Sequence, residues 1–263
     1  TAKMVLGTAQ FGMDYGIANV AGKPTKKEVF NILELAWENG VRRFDTAPGY
    51  GSEALLGEFF KLNGFEHEAL LLTKISGLKE DGDCKSAILS NLESSLERLG
   101  CKIEVLFFHD PKDSIILLND SKFFLKLLQD YPVSSLGVSV YEPHEVEQLQ
   151  RSNFELAFQF PFNVLDRDFK KLKMPVGKRY ARSIFLQGIL ASQKDLRTGT
   201  PLELLNIQKE YHSKLADRQL CPVNFAVSFV ARNDAVDYFL IGVDTAKQLK
   251  DILNLKLVEQ KDL

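Results

Sequence analysis

From one end to the other, the chain alternates short apolar runs rich in β-forming residues with longer stretches of helical periodicity. The strand candidates are Val5–Ala9, Arg43–Thr46, Leu70–Ile75, Val105–His109, Ser135–Val140, Leu156–Phe160, Tyr180–Ile184 and Tyr238–Gly242. Several are almost continuously apolar, as befits parallel strands covered on both faces. The helices between them have readable ends. Pro24 is placed to open one that buries Val29, Ile32, Leu33, Leu35 and Ala36, and Gly40 is placed to close it. Ser52 is placed to cap the next, which runs through Leu55, Leu56 and Phe59. A third carries Ala87, Ile88, Leu92, Leu96 and Leu99 at helical spacing and stops at Gly100. Eight strands, each followed by a helical segment at roughly 33 residues per unit, fit a (β/α)8 TIM barrel. An open doubly wound sheet would want a G-x-G-x-x-G after the first strand, and there is none. With no internal repeat, low-complexity tract or linker, residues 1–263 read as a single α/β domain, with the charged tail Val258–Leu263 expected to fray.

Composition narrows the functional classes. A chain of 263 residues that is 45% hydrophobic can bury a large core without disulfides. A net charge of −2 gives no general reason to bind nucleic acid. Cys84, Cys101 and Cys221 are odd in number and far apart, so they read as reduced thiols, and no metal site is expected. No apolar stretch approaches the roughly 18 residues of a membrane span. The first residues lead straight into a strand with no secretory signal, so a cytoplasmic chain is expected.

In a barrel of this kind, chemistry sits at the carboxyl ends of the strands and in the loops after them. The residues at those ends are Asp45, Lys74, His109, Ser139, Gln159, Ser183 and Gly242. Lys74 continues the apolar run that starts at Leu70, and a lysine there needs a partner. Asp45, ending the neighbouring strand, supplies one. Tyr50 lies in a turn between Gly49 and Gly51 that can present its hydroxyl over the barrel mouth, and His109 ends the fourth strand. Asp45 with Lys74 alone would serve equally as a structural ion pair, and His109 alone could simply bond backbone. Their joint placement is what points to chemistry.

Carbonyl reduction needs such a set. Hydride reaching a carbonyl carbon leaves an alkoxide that must be protonated as it forms. A tyrosine, with an ordinary pKa of about 10, can donate that proton, and an ammonium beside it is expected to ease formation of its phenolate. Lys74 would be that ammonium, oriented by Asp45, while His109 would polarise the carbonyl oxygen. His67, His144 and His212 lie in or beside helices and read as surface or packing residues.

The segment Phe44-Asp-Thr-Ala-Pro-Gly-Tyr-Gly-Ser-Glu53, with Leu56-Gly57 just after it, closely resembles the second-strand signature of the aldo-keto reductases. So does Ser95-Leu-Glu-Arg-Leu-Gly100 leading through Ile103-Glu-Val-Leu106 to Phe108-His109. Leu6-Gly-Thr-Ala9 is similar to the family's first strand and Gly137-Val-Ser139 to its fifth, so the resemblance runs from about residue 5 to about residue 254. It implies Tyr50 as proton donor, Lys74 and Asp45 as its tuning pair and His109 as the residue that orients substrate. Two departures stand out: Tyr50-Gly-Ser-Glu53 is one residue shorter than the family's usual turn, and Val140 replaces a usual Asn or Arg.

The resemblance also implies an extended nicotinamide dinucleotide across the barrel mouth. Gly7, Thr8, Ser139 and Gln159 would lie near the nicotinamide. Arg182-Ser-Ile-Phe-Leu-Gln-Gly188 would follow, with Arg182 where the family usually stacks an aromatic ring and with Ser183, Phe185 and Gln187 beside the cofactor. Gly242, Asp244, Gln248 and Asp251 would hold the adenosine end at a helix start suited to phosphate, where Ile252 replaces a usual Asn. Family precedent favours NADP(H), whereas the carboxylate of Asp244 would repel a 2′-phosphate and suit NAD(H). Lys194 and Arg197 could still reach a phosphate, so the choice between NADP(H) and NAD(H) stays open. Arg182, Asn163 and the Asp14-Tyr15 loop make a polar mouth suited to a small hydroxylated carbonyl such as a sugar or sugar derivative. Two other readings compete: a cofactor-binding regulatory or sensor protein on the same fold, and a lyase forming a Schiff base on Lys74.

Overall fold

Period-two alternation decides which side chains enter the barrel. The computed structural model describes residues 2–19, 22–78, 83–172, 175–193 and 196–259. Strand β1 (Met4–Gly7) is followed by a short helix α1 (Ala9–Gly12) and by α2 (Lys26–Glu38). Then come β2 (Arg43–Asp45), α3 (Glu53–Asn63), β3 (Leu70–Ile75), α4 (Cys84–Leu99) and β4 (Ile103–Phe108). The next elements are α5 (Ile116–Asn119), α6 (Ser121–Asp130), β5 (Val133–Ser139), α7 (Pro143–Leu149) and β6 (Ala157–Pro161). The last are β7 (Arg179–Arg182), α8 (Leu202–Asp217), α9 (Pro222–Ala231), β8 (Tyr238–Gly242) and α10 (Ala246–Leu253). Every strand pairs in parallel with its sequence neighbours, and β1 also pairs with β8, closing one (β/α)8 barrel.

All eight expected strands form, most of them displaced by one or two residues. His109 and Ser183 therefore sit just past their strands rather than at their last positions. One connection departs from the expected rhythm: among the described residues, β6 and β7 are joined by a short 3-10 turn, Asp168–Lys171, with no α-helix. Pro175 and Gly177 in that connection disfavour one. Pro24 does not open α2; Thr25 caps it in a reciprocal box with Glu28. Gly100 ends α4 in the left-handed conformation, as its place after Leu99 implied.

Val5, Leu72, Val105, Phe107, Ala157 and Tyr180 fill the barrel interior. The larger core lies between barrel and helices, where Phe44 packs on Trp37 and Phe60. Full burial of side chains of this size stabilises the fold by about 1.5–3 kcal/mol each. The floor of the barrel is polar. There Glu104 accepts hydrogen bonds from Arg43 and Lys178, and Arg43 stacks on Tyr238 at 4.3 Å. Charge at the floor and charge at the mouth are thus kept apart by an apolar plug.

Candidate active site

Alternation along β3 places Leu72 and Lys74 on the barrel side, so the lysine stands directly above the plug. Lys74 is 1% exposed and Asp45 3% exposed. The Lys74 Nζ donates to Asp45 Oδ1 at 2.9 Å, to Asp45 Oδ2 at 2.8 Å and to the Thr46 carbonyl at 2.8 Å. The Tyr50 side chain is a further hydrogen-bond partner, so the three N–H groups of the ammonium are shared among Asp45, Thr46 and Tyr50. Burial alone would lower the lysine's pKa, but the charges and hydrogen bonds of Asp45 and then Tyr50 outweigh burial, and the net direction is upward. A lysine held charged in this way is a poor nucleophile, which argues against Schiff-base chemistry.

Tyr50 closes a 3-10 turn, Pro48–Tyr50, that Gly51 ends at φ 71°. Its ring lies 4.9 Å from Lys74 Nζ and meets the His109 ring edge-on, with centroids 6.1 Å apart. The structure thus brings together the four residues expected to carry chemistry. The expected easing by Lys74 is present, and burial exceeds it, so the Tyr50 hydroxyl is shifted up overall. Burial is the largest cause; Lys74 opposes it, while Asp45 and Tyr15 push the same way as burial. His109 is shifted below the usual histidine range, first by burial and then by the Lys74 charge, with Arg182 adding to it.

Several partners of this set were not legible beforehand. Gln159, expected only near a cofactor, donates Nε2 to Asp45 Oδ2 at 2.8 Å and so joins the ion pair. Thr8 donates its hydroxyl to the Asp45 carbonyl at 2.9 Å. Since that proton is committed, Ser52 must donate to Thr8 across their 2.8 Å contact, and Thr46 in turn to Ser52 across 2.8 Å. Ser52 therefore occupies the cap position of α3 without capping it, because its hydroxyl is held in this relay. Behind it, buried Glu53 accepts from Thr73 and Arg98. Gly12 lies against the Tyr50 turn so closely that a Cβ there would sit 1.7 Å from the Tyr50 carbonyl oxygen. Its only sequence signal was a glycine shortly after the first strand.

At the mouth, Gly7 and Gly242 are register partners on β1 and β8. Ser139 and Gln159 are register partners on β5 and β6. Ser183, at φ 59°, accepts at its carbonyl from Asn163; Phe185 is half-buried, and Gln187, exposed at φ 52°, accepts at its carbonyl from Ala18. Asn163 is buried, and its side-chain oxygen takes the amides of Leu165 and Asp166, so it is not available to a substrate as expected. Asp14 is likewise taken, by Arg197, whose Nε also donates to the Asn19 carbonyl at 2.7 Å. Lys194 lies outside the described residues. Asp244 does not cap α10; Thr245 does, and the Gln248 side chain turns back to accept from the Asp244 and Thr245 amides instead of facing outward. Burial raises the Asp244 carboxyl, opposed by Gln248 and the Arg197 charge and reinforced by Asp14. Asp251 is exposed on α10. Of the other histidines, His67 and His144 are exposed, and buried His212 bonds the Ile189 carbonyl at 3.1 Å. Among the described residues no cluster of three or more His, Cys, Asp or Glu could hold a metal ion, and no helix is long and apolar enough to cross a membrane.

The chain is similar to known proteins. The chain is 32% identical over 143 residues to D-threo-aldose 1-dehydrogenase of a Pseudomonas species, covering 42% of this chain and 43% of that protein. It is 24% identical over 192 residues to an aldo-keto reductase of Bacillus subtilis, covering 69% of this chain and 57% of that one. The chain thus aligns with about half the length of each of these relatives. The fold matches the holo form of an aldo-keto reductase from Bacillus halodurans with a TM-score of 0.78 at 19% identity, over 99% of this chain and 89% of that one. The model of the Aldo/keto reductase family matches residues 3–262, so the chain belongs to that family.

Proposed function

We propose that this protein is an NAD(P)H-dependent oxidoreductase acting on the carbonyl or alcohol of a small polar substrate, a sugar or sugar derivative, with Tyr50 as proton donor. The observation that carries this reading is the buried Lys74–Asp45 pair beneath Tyr50 with His109 edge-on beside it. The residues at the mouth fit a nicotinamide dinucleotide. Gln159 commits its Nε2 to Asp45, which leaves its amide oxygen for a carboxamide, with Ser139 beside it in register. Gly7 and Gly242 leave two adjacent strand ends without side chains of their own, with the Gln10 amide lying over Gly242. Asp244 and Arg197 would face the adenosine end. A bound reduced nicotinamide supplies the hydride.

The protein's own groups do the rest. His109, neutral because its pKa is depressed, donates one N–H to the carbonyl oxygen and polarises it. As negative charge grows on that oxygen, the Tyr50 hydroxyl transfers its proton there, and solvent later restores it. The raised pKa keeps Tyr50 protonated until that moment, while the Lys74 ammonium stabilises the phenolate left behind. Asp45, fixed by Gln159, prevents Lys74 from losing its charge. The sugar assignment draws on the likeness to an aldose dehydrogenase and on the polar groups Arg182 and Tyr15 at the mouth.

The test is Tyr50→Phe, assayed with glyceraldehyde and each reduced nicotinamide. Turnover is expected to fall about 10²–10⁴-fold with cofactor affinity nearly unchanged, because the hydroxyl acts on the developing alkoxide alone. Near-normal turnover would refute Tyr50 as the acid.

A further inference from the structure

Five arginines among the described residues are half-buried: Arg42, Arg43, Arg179, Arg182 and Arg197. Four of them reach a carboxylate, on Glu68, Glu104, Asp237 and Asp14 respectively. Among the described residues, Arg182 reaches none within 4.0 Å. It ends β7 at the barrel mouth and lays its guanidinium on the Tyr141 ring, 4.3 Å from the centroid. Its Nη2 donates to the Val140 carbonyl at 3.2 Å, and its Nη1 makes a long 3.4 Å contact to Ser183 Oγ. These neutral contacts aim the group without neutralising it. Because Val140 follows β5 and Arg182 ends β7, the side chain reaches across the end of β6, towards the side of the mouth where His109 follows β4. Its charge is felt there, since it contributes to the lowering of His109, and Asp166 feels it without pairing.

A guanidinium carries five N–H donors, so about three stay open after the two contacts above. Oriented, partly desolvated and unpaired, it matches a planar or tetrahedral oxyanion, which it can hold by two parallel charge-assisted hydrogen bonds. We propose that Arg182 is the anion-binding element of the substrate site, and that the physiological carbonyl substrate carries a carboxylate or a phosphate that Arg182 chelates while the carbonyl lies against Tyr50 and His109. This deepens the reductase reading and rests on it.

The experiment compares matched aldehydes under saturating cofactor: glyceraldehyde 3-phosphate against glyceraldehyde, and succinate semialdehyde against butanal. The quantity read is the ratio of kcat/KM, charged over neutral, which cancels any effect of a substitution common to both. Wild type is expected to favour the charged member of at least one pair by about 10–100-fold, the range of a hydrogen bond to a charged group. Arg182→Gln is expected to reduce that ratio to near one, and Arg182→Lys to restore part of it. Preference in the first pair alone identifies a phosphate, and in the second alone a carboxylate. No preference in wild type, or one that survives Arg182→Gln, overturns the proposal. If neither pair is turned over, the reductase reading fails separately, and calorimetric titration of inorganic phosphate and of malonate decides the anion site. Binding to wild type that Arg182→Gln abolishes supports it; absent or unaltered binding overturns it.

Discussion

Gly12→Ala adds one carbon at the point where the end of α1 meets the Tyr50 turn. Built on the observed backbone, that carbon lies 1.7 Å from the Tyr50 carbonyl oxygen and 2.6 Å from the Gly51 carbonyl carbon. Real side chains do not approach closer than 3.0 Å, so the two backbone segments must part by about 1.3 Å. The obstacle is backbone, and no rotamer change relieves it. Overpacking of this kind costs typically 1–3 kcal/mol of stability. The catalytic loss is expected to be larger in proportion, because the turn that moves carries the proton donor, and a displacement of about 1 Å can lower a rate 10²-fold. The assay is steady-state reduction of glyceraldehyde beside a thermal melt and a cofactor titration. The expected result is kcat lower by about 10²-fold, KM and cofactor affinity within a few-fold of wild type, and a protein still folded at the assay temperature. A folded variant with kcat within threefold of wild type would show that Gly12 does not seat Tyr50.

Three further outcomes follow from the same geometry. Lys74→Met strands the Asp45 carboxylate in a buried site with Gln159 as its one side-chain hydrogen-bond partner among the described residues, so stability should fall by about 3–5 kcal/mol and turnover with it. Adding Asp45→Asn should recover much of the melting temperature but none of the rate; recovery of the rate would reassign the pair to a purely structural role. Reduction should be independent of pH from about 6.5, above which depressed His109 is already neutral, to about 10, below which raised Tyr50 keeps its proton. An alkaline fall centred below pH 9 would contradict the shift given to Tyr50. At the proposed adenosine end, Asp244→Ser would remove a carboxylate expected to oppose a 2′-phosphate, so the NADPH-to-NADH affinity ratio should rise by roughly one to three decades. An unchanged ratio would place Asp244 away from the ribose, and tighter binding of NADPH than NADH by wild type would weaken the case for NAD(H).

How far the chain could be read in advance follows from the range of each interaction. Strands and helix stops were legible because period and punctuation are local: Leu70–Ile75 and Tyr238–Gly242 end where their apolar runs end, and Gly100 stops α4. Asp45, Lys74 and His109 were legible because barrel topology turns a strand's last residues into a shared rim. Ser52 shows the limit. Its sequence neighbours made it a helix cap, but Thr8 and Thr46 claim its hydroxyl, and nothing near Ser52 in the chain announces Thr8. Gly12 was missed, and Gln159 was placed by the cofactor rather than against Asp45, for the same reason, since their partners are 38 and 114 positions away. The sequence revealed the Lys74 charge that eases phenolate formation at Tyr50, but not the burial that outweighs it, because burial depends on the packed structure.

The seam between β1 and β8 has a consequence for how the molecule is made. Met4 pairs with Phe239, and the Phe239 amide donates to the Lys3 carbonyl at 2.9 Å, so one side of the first strand waits for a partner more than 230 residues later. At 5–20 residues per second, a ribosome needs roughly 10–50 s to deliver that partner. During that interval the nascent sheet has two open edges, and the glycine rim shared by Gly7 and Gly242 has not yet formed. The eighth strand therefore decides when the newborn chain stops being adhesive to its neighbours. A stop codon shortly before residue 238 would leave the Asp45–Lys74–Tyr50 set encoded in full on a sheet that cannot close.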